Sequence, residues 1–136
     1  MENEEWDTSH FKKEAFPLEL KHKTFRSCLF ENCEFSNTQF TGSKFVDCKW
    51  LKCNLSVNKW DGCRLQNALF EECKIVGGNF TRCDPTFLAI GFKKCLIDMC
   101  NFSDLNLKNT SFTESVIRET HFTQTNLSNA NFTRER

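Results

Sequence analysis

The sequence predicts an all-β fold in which the chain winds into a parallel β-helix. Three observations predict it. Large apolar residues recur at every fifth position, small residues stand two positions before most of them, and the positions in between are mostly polar. The 136-residue chain contains 15 Phe and no Tyr, and only Phe11 and Phe16 lie outside the five-residue series. A period of five therefore governs most of the chain.

The large residues form two series separated by a slip of two residues. The first series contains Leu20, Phe25, Phe30, Phe35, Phe40, Phe45, Trp50, Leu55, Trp60, Leu65, Phe70, Ile75 and Phe80. The second contains Phe87, Phe92, Ile97, Phe102, Leu107, Phe112, Ile117, Phe122, Leu127 and Phe132. Every member of both series is large and apolar, so we expect all of them to point into one core.

Neither regular secondary structure buries such a pattern. Five residues of α-helix turn the side chain through about 500°, so the series would spiral around the helix. Five residues of straight strand move it to the opposite face. A chain that bends once per repeat keeps every large residue inside, together with the small residue two positions earlier. Successive turns of this coil then stack at a strand spacing of about 4.8 Å.

Several segments resemble the pentapeptide-repeat family, whose repeat is roughly A(D/N)LXX. They include NANFT (129–133), TNLSN (125–129) and CNFSD (100–104). The resemblance covers about residues 18–133. It implies a right-handed, four-sided β-helix with four pentapeptides in each coil and about six coils in all.

The two ends and the slip define the predicted organisation. Residues 1–17 are predicted to form an acidic cap with a short helix, for which Asp7 or Ser9 is the N-cap. Residues 18–133 form the β-helix, with the register slip at 81–87, and 134–136 form a tail. The turn Asp84-Pro85 at the slip is either a tolerated insertion or a loop that contacts a partner. The last coil lacks a predicted cap, so either it pairs with another chain, as in a homodimer, or the sequence is truncated.

The cysteines are predicted to be structural. All nine stand at the small position of the five-residue register, and in eight of them a large apolar residue follows two positions later. Zinc ligands usually lie two to four residues apart and converge on one point, which this spacing does not favour. Cysteine commonly serves as a small buried apolar residue. We therefore expect buried free thiols and no metal site.

Charge and motifs argue against several functional classes. The net charge is zero, and residues 1–16 hold five acids and two bases, which leaves the rest at about +3. We expect no direct nucleic-acid or membrane binding. The acidic N-terminus is unlike a signal peptide, so a cytoplasmic protein is predicted. His10, His22 and His121 are isolated, no phosphate-binding glycine loop is present, and a filled axis leaves no substrate cavity. No catalytic residue and no cofactor are predicted.

The outward residues contain two candidate rows. Stacking of successive coils aligns Thr24, Lys44 and Arg64, with Arg26 beside them. On the next face it aligns Leu29, Lys49 and Leu69, with Leu51 adjacent. Exposed apolar rows indicate contact surfaces, although neighbouring charges could merely stabilise the sheet. The candidate protein-contact surface consists of Leu29, Leu51, Leu69, Lys44, Arg64 and Leu88.

The resemblance also suggests a function. FENCEF (30–35) and NALFEEC (67–73) are similar to repeats of the quinolone-resistance (Qnr) and microcin-immunity members. These are topoisomerase-protection proteins, which implies a protein partner, DNA gyrase first, and resistance to an antibiotic or toxin. The chain departs from them in its mildly basic body, its lack of long loops and its lack of a dimerising helix. The alternative is a generic scaffold or effector module with no topoisomerase partner.

Overall fold

The computed structural model describes residues 4–133, and that range contains strands but no helix. The strands assigned there are β1 (Glu5–Asp7), β2 (His10–Lys12), β3 (Thr24–Arg26), β4 (Leu29–Glu31), β5 (Lys44–Val46), β6 (Lys49–Leu51), β7 (Asn54–Ser56), β8 (Arg64–Gln66), β9 (Ala68–Glu71), β10 (Lys74–Val76), β11 (Ile90–Lys93), β12 (Leu96–Asp98), β13 (Ser111–Thr113) and β14 (Val116–Arg118). The all-β prediction is confirmed. The predicted tail at 134–136 lies outside the described residues.

The strands stack in parallel into a four-faced solenoid. Face 1 has the strand order β1-β3-β5-β8, face 2 has β2-β4-β6-β9-β11-β13, and face 3 has β7-β10-β12-β14. Face 4 is a ladder of single parallel bridges that join Glu19, Gln39, Lys59, Asn79, Asn101 and His121 in turn. The chain visits the four faces in order and completes about six coils, as the resemblance implied.

The large apolar side chains fill the axis in stacked columns. The ring of Phe30 lies between those of Phe11 and Trp50, with centroid distances of 5.1 and 5.3 Å and nearly parallel planes. Adjacent columns meet edge to face, as Phe25 and Phe30 do at 5.4 Å and 68°. Each fully buried Phe contributes roughly 1.5–3 kcal/mol through the removal of apolar surface from water. The inward direction of the five-residue series is confirmed, except at Phe87.

The small residues pack between the columns and also bind backbone carbonyls. All nine cysteines are buried, with free thiols. The thiol of Cys53 donates a weak hydrogen bond to the carbonyl of Phe30 on the preceding coil, with 3.2 Å between sulfur and oxygen. The hydroxyl of Ser43 donates to the carbonyl of Leu20 in the same way, at 2.6 Å. The position therefore favours a small side chain that can also donate a hydrogen bond.

The corners of the coil have a backbone conformation of their own. At nearly every corner, the residue two positions after the inward residue has a positive φ, between 46° and 71°. Only glycine and short polar residues such as Asn adopt this left-handed conformation readily. Gly42, Gly62, Asn32 and Asn67 are corner residues of this kind. This requirement explains why the residue just before a small position is so often Asn, Asp or Gly.

The N-terminal residues form the first coil, so the predicted helix over residues 6–16 is wrong. Strand β1 pairs in parallel with β3, and β2 pairs with β4. The ring of Trp6 stacks on that of Phe25 with a centroid distance of 4.7 Å and an angle of 8°. Trp6, Phe11 and Phe16 continue the spacing of five, and burial of their rings on the next coil outweighs the helix-capping signals. The solenoid therefore begins ahead of residue 18.

One residue is missing from the end of this first coil. The paired residues Glu19 and Gln39 are separated along the chain by one regular coil. The paired residues Ala15 and Glu34 are closer along the chain by one residue. The deletion lies at the corner that contains Pro17. The carbonyl of Pro17 accepts a hydrogen bond from the hydroxyl of Thr38 at 3.0 Å. This bond connects the shortened corner to the second coil.

Two extra residues enter the coil on face 1. Arg64 bridges to Asp84 across the interval of a regular coil, whereas the interval between the paired residues Ala68 and Ile90 is longer by two. The insertion therefore lies between Asp84 and Ile90. Phe87 is not an inward residue: its side chain is 66% exposed, and its φ is +57°. The two extra residues carry it out to the corner.

Candidate protein-contact surface

The apolar residues of the candidate surface lie together on face 2. Leu29 of β4, Lys49 of β6 and Leu69 of β9 are in register on neighbouring strands, as predicted. Leu69 is 37% exposed, and its side chain lies over Gly91 on the next coil. Leu51 belongs to the adjacent row. Face 2 therefore presents a flat sheet with three outward leucines.

Charged residues beside these leucines form ion pairs between coils. Leu51 is in register between Glu31 and Glu71. The ammonium group of Lys49 lies 2.9 Å from the Glu71 carboxylate. This hydrogen bond and the charge of Lys49 lower the pKa of Glu71 from its ordinary value of 4.5. His10 lies 3.0 Å from the carboxylate of Glu31. The ion pair of Lys49 with Glu71 and the contact of His10 with Glu31 therefore join neighbouring coils of face 2.

The basic residues of the candidate surface lie on face 1. Lys44 of β5 and Arg64 of β8 are in register, as predicted, and Lys44 is exposed. The guanidinium of Arg64 lies 3.5 Å from the Asp84 carboxylate, and its central carbon lies 5.7 Å from the centroid of the Phe87 ring. A backbone N–H of Thr86 and the charge of Arg64 both lower the pKa of Asp84. Through its contacts with Asp84 and Phe87, Arg64 thus connects the insertion to face 1.

The insertion exchanges the roles that the sequence predicted for two neighbours. Leu88, predicted as a contact residue, is half-buried against the core. Phe87, predicted as a core residue, is exposed. The residue two positions before Phe87 is Pro85, which is not one of the small residues that usually precede an inward side chain. This proline in place of a small residue is the feature of the sequence that indicates an outward Phe87.

The sequence interpretation missed two further exposed apolar residues at corners. Val57 and Met99 are 56% and 55% exposed, with φ of +51° and +54°. Both stand at the corner between faces 3 and 4, with Gly77 between them. Their signal in the sequence was an apolar residue at a position that is otherwise polar or glycine.

Within residues 4–133, no group of three or more His, Cys, Asp or Glu side chains is placed to hold a metal ion. That same range contains no helix long and apolar enough to cross a membrane. A concave region of about 570 Å³ lies at the first coil and is lined by the rings of Trp6, Phe11 and Phe16 together with Glu4, Glu14 and Glu19. Two smaller regions, of about 310 and 350 Å³, are polar and shallow.

Comparison with protein families agrees with this geometry. Residues 23–90 match the family described as a pentapeptide repeat region, and residues 100–134 match the family described as pentapeptide repeats (8 copies). The chain belongs to the pentapeptide-repeat family. The first matched segment ends where the insertion rejoins the regular coil. No curated protein matches the sequence of this pentapeptide-repeat protein.

Two solved structures are similar to this chain. A trypsin-treated variant of QnrB1, a plasmid-mediated fluoroquinolone resistance protein, has 15% identity and a TM-score of 0.50, over 91% of this chain and 78% of that one. HetL, involved in heterocyst differentiation regulation in the cyanobacterium Nostoc sp. strain PCC 7120, has 13% identity and a TM-score of 0.42, over 94% of this chain and 61% of that one. At these identities the likeness concerns the fold alone.

Proposed function

We propose that this pentapeptide-repeat protein is a non-catalytic rod that binds another protein through faces 1 and 2. The observation that carries the proposal is the row on face 2, where Leu29, Lys49 and Leu69 lie in register beside Leu51. Outward leucines on a flat sheet contribute little to the core, whereas they supply apolar area to an interface. The filled axis supports a binding role over a catalytic one.

The partner that we propose is DNA gyrase, which the rod would protect from an antibiotic or toxin in the cytoplasm. The repeats that resemble Qnr proteins support this choice, and QnrB1 is described as a fluoroquinolone resistance protein. Direct binding to DNA is not part of the proposal. The ion pairs Lys49–Glu71 and Arg64–Asp84 each neutralise one basic residue, on face 2 and on face 1 respectively.

A supercoiling assay tests the proposal. Purified gyrase is inhibited with a quinolone, and the rod is added over a range of molar excess. We expect supercoiling to recover with the natural sequence and to stay low with a triple variant, Leu29→Lys, Leu51→Lys and Leu69→Lys. A matched control places lysine at polar positions on face 4 that are half-buried, as Leu29 and Leu51 are, namely Gln39→Lys and Asn79→Lys, and should protect as the natural sequence does.

The outcomes separate the gyrase partner from the more general role. Absence of rescue at a large molar excess would exclude gyrase protection. Capture of a different protein that depends on the three leucines would then favour a scaffold or effector module. Pairing of two copies through the last coil stays a prediction. Sedimentation of the isolated protein checks it.

A further inference from the structure

The corner between faces 3 and 4 carries an exposed apolar ridge formed by Val57, Gly77 and Met99. These residues follow β7, β10 and β12, which pair in register. The N–H of Val57 donates to the carbonyl of Val76, and the N–H of Gly77 donates to the carbonyl of Asp98, both at 2.8 Å. A Cβ atom at Gly77 would lie 3.8 Å from a methyl group of Val57. The three residues therefore form one continuous surface.

Folding does not explain the choice of residues on this ridge. Within the described part of the chain, 20 non-glycine residues have positive φ, and only Val57, Phe87 and Met99 among them are apolar. A β-branched residue is an outlier in this conformation. Burial does not compensate, because Val57 and Met99 are each more than half exposed. Unfavourable conformation combined with exposure indicates a requirement other than stability.

The ridge differs in its surroundings from the third exception, Phe87. Phe87 lies at the corner between faces 1 and 2, where the guanidinium of Arg64 covers its ring. Around the ridge, Val76 is half-buried and Gly77 has no side chain. Val57 and Met99 are separated by two coil spacings of about 4.8 Å each, which leaves a shallow notch over Gly77. One apolar side chain of a partner fits between them.

Charge beside the ridge indicates the chemistry of the partner. Lys74 of β10 is exposed on face 3, and Lys59 is exposed on face 4. Neither forms an ion pair with any of residues 4–133. The carboxylate of Asp98 lies 3.1 Å from the guanidinium of Arg118. On the next coil, Glu119 occupies the corner position that corresponds to Met99. Two lysines therefore flank the notch along its length, while the acidic residues lie at its end.

We propose that the ridge of Val57, Gly77 and Met99 docks a protein segment in which one large apolar side chain is flanked by carboxylates. The apolar side chain enters the notch over Gly77, and its acidic neighbours reach Lys59 and Lys74. The proposal rests on the proposed function only in that the rod binds protein. It concerns a different surface from the leucines of face 2, and gyrase need not be the partner.

Nuclear magnetic resonance of the ¹⁵N-labelled protein tests the proposal with three synthetic peptides of equal length. The first has a central Phe flanked by Glu, the second has Lys flanks, and the third has a central Ala with Glu flanks. We expect the first peptide to shift the amide signals of Val57, Gly77 and Met99 selectively. We expect the other two to bind at least tenfold more weakly. Shifts spread over other faces, or equal binding of all three peptides, would overturn the proposal.

Variants separate docking from folding. The double variant Val57→Asn and Met99→Asn keeps residues that tolerate a left-handed backbone, so it should fold and bind the first peptide at least tenfold more weakly. The matched control Asn67→Ser and Asn109→Ser alters two polar corner residues and should bind as the natural sequence does. If the double variant failed to fold, Met99→Gln alone would provide the same comparison. Unchanged affinity in a folded variant contradicts the proposal.

Two other occupants give distinguishable results. Binding of the natural sequence, but not of the double variant, to vesicles of phosphatidylcholine and phosphatidylglycerol would assign the ridge to a membrane and overturn the proposal. Self-association that the double variant abolishes would assign it to a second copy, with the same consequence. The gyrase assay tests the leucines of face 2, whereas the peptide experiment tests the ridge. Failure of the gyrase assay therefore does not affect the conclusion from the peptides.

Discussion

The axis and the corners of this solenoid meet opposite requirements, although they lie only two residues apart in the chain. Phe45 and Trp60 on the axis are fully buried. Asn67 and Val57 at corners are exposed and have φ of +55° and +51°. Exclusion of water therefore determines which residues suit the axis, whereas backbone conformation determines which suit the corners. One repeat of five residues combines two independent sources of stability.

The largest effect is expected from a charge on the axis. Phe45 stacks on Phe25 with a centroid distance of 5.0 Å and an angle of 3°. The substitution Phe45→Asp places an unpaired carboxylate there, at a cost comparable to a total stability of about 5–15 kcal/mol. We expect loss of the β-sheet signal in circular dichroism. Phe45→Leu is the control and should fold with a loss of about 1–2 kcal/mol. A folded aspartate variant with an unchanged midpoint would contradict the inward assignment.

Exchange of corner residues should change stability in opposite directions. Val57→Asn replaces a β-branched residue in the left-handed conformation and should stabilise the protein by about 1 kcal/mol. Asn67→Val introduces that strain at an equivalent corner and should destabilise by about 1–2 kcal/mol. Urea unfolding of both variants measures the difference. Changes of the same sign in both would show that conformation does not govern the corners.

Removal of a buried thiol should have a smaller effect than a charge on the axis. Cys53→Ala removes one sulfur atom and its weak hydrogen bond to Phe30, so we expect a loss of about 1 kcal/mol. Burial raises the pKa of the Cys48 thiol to about 12 and that of Cys100 to about 11, so these two thiols stay protonated at neutral pH, and all nine are shielded from solvent. Iodoacetamide should therefore modify native protein much more slowly than unfolded protein. Equal rates for all nine thiols would contradict their burial.

The smallest effect is expected from an ion pair on the surface. Lys49 lowers the pKa of Glu71 in the folded protein, so the stabilisation is present above the unfolded pKa and is lost as the pH falls through the folded pKa. Lys49 is 41% exposed, which limits the contribution to less than about 1 kcal/mol. Glu71→Gln should reduce the loss of stability between about pH 5 and pH 3. If the free energy of unfolding fell equally with pH in both proteins across that range, a contribution of this ion pair to stability would be excluded.

The repeat made the axis predictable because burial alone selects its residues. The register of Leu29, Lys49 and Leu69 followed from the same period, since each regular coil on that side consists of four repeats. Trp6, Phe11 and Phe16 also obey the spacing of five, but helix-capping signals in the same segment favoured a different prediction. The rings outweigh those signals because each of them stacks on a ring of the next coil.

Departures from the period were harder to predict. The missing residue near Pro17 and the insertion before Ile90 are compensated by contacts with neighbouring coils, which the linear sequence does not display. Asn58 is another example: its buried amide donates to the carbonyls of Phe35 and Thr38, at 2.7 and 2.8 Å. Val57 and Met99 could not be predicted as contact residues from the sequence, because that inference needs both their exposure and their backbone conformation.

The placement of the tryptophans turns the rod into its own optical probe. Trp6 lies half-buried in the first coil, whereas Trp50 and Trp60 are fully buried in the third, with ring centroids 6.3 Å apart. The chain has no tyrosine and no other tryptophan, so its near-ultraviolet emission arises from two coils. Neighbouring coils stabilise one another, which allows an end to open before the middle. Emission from Trp6 would report that opening separately, without any attached dye.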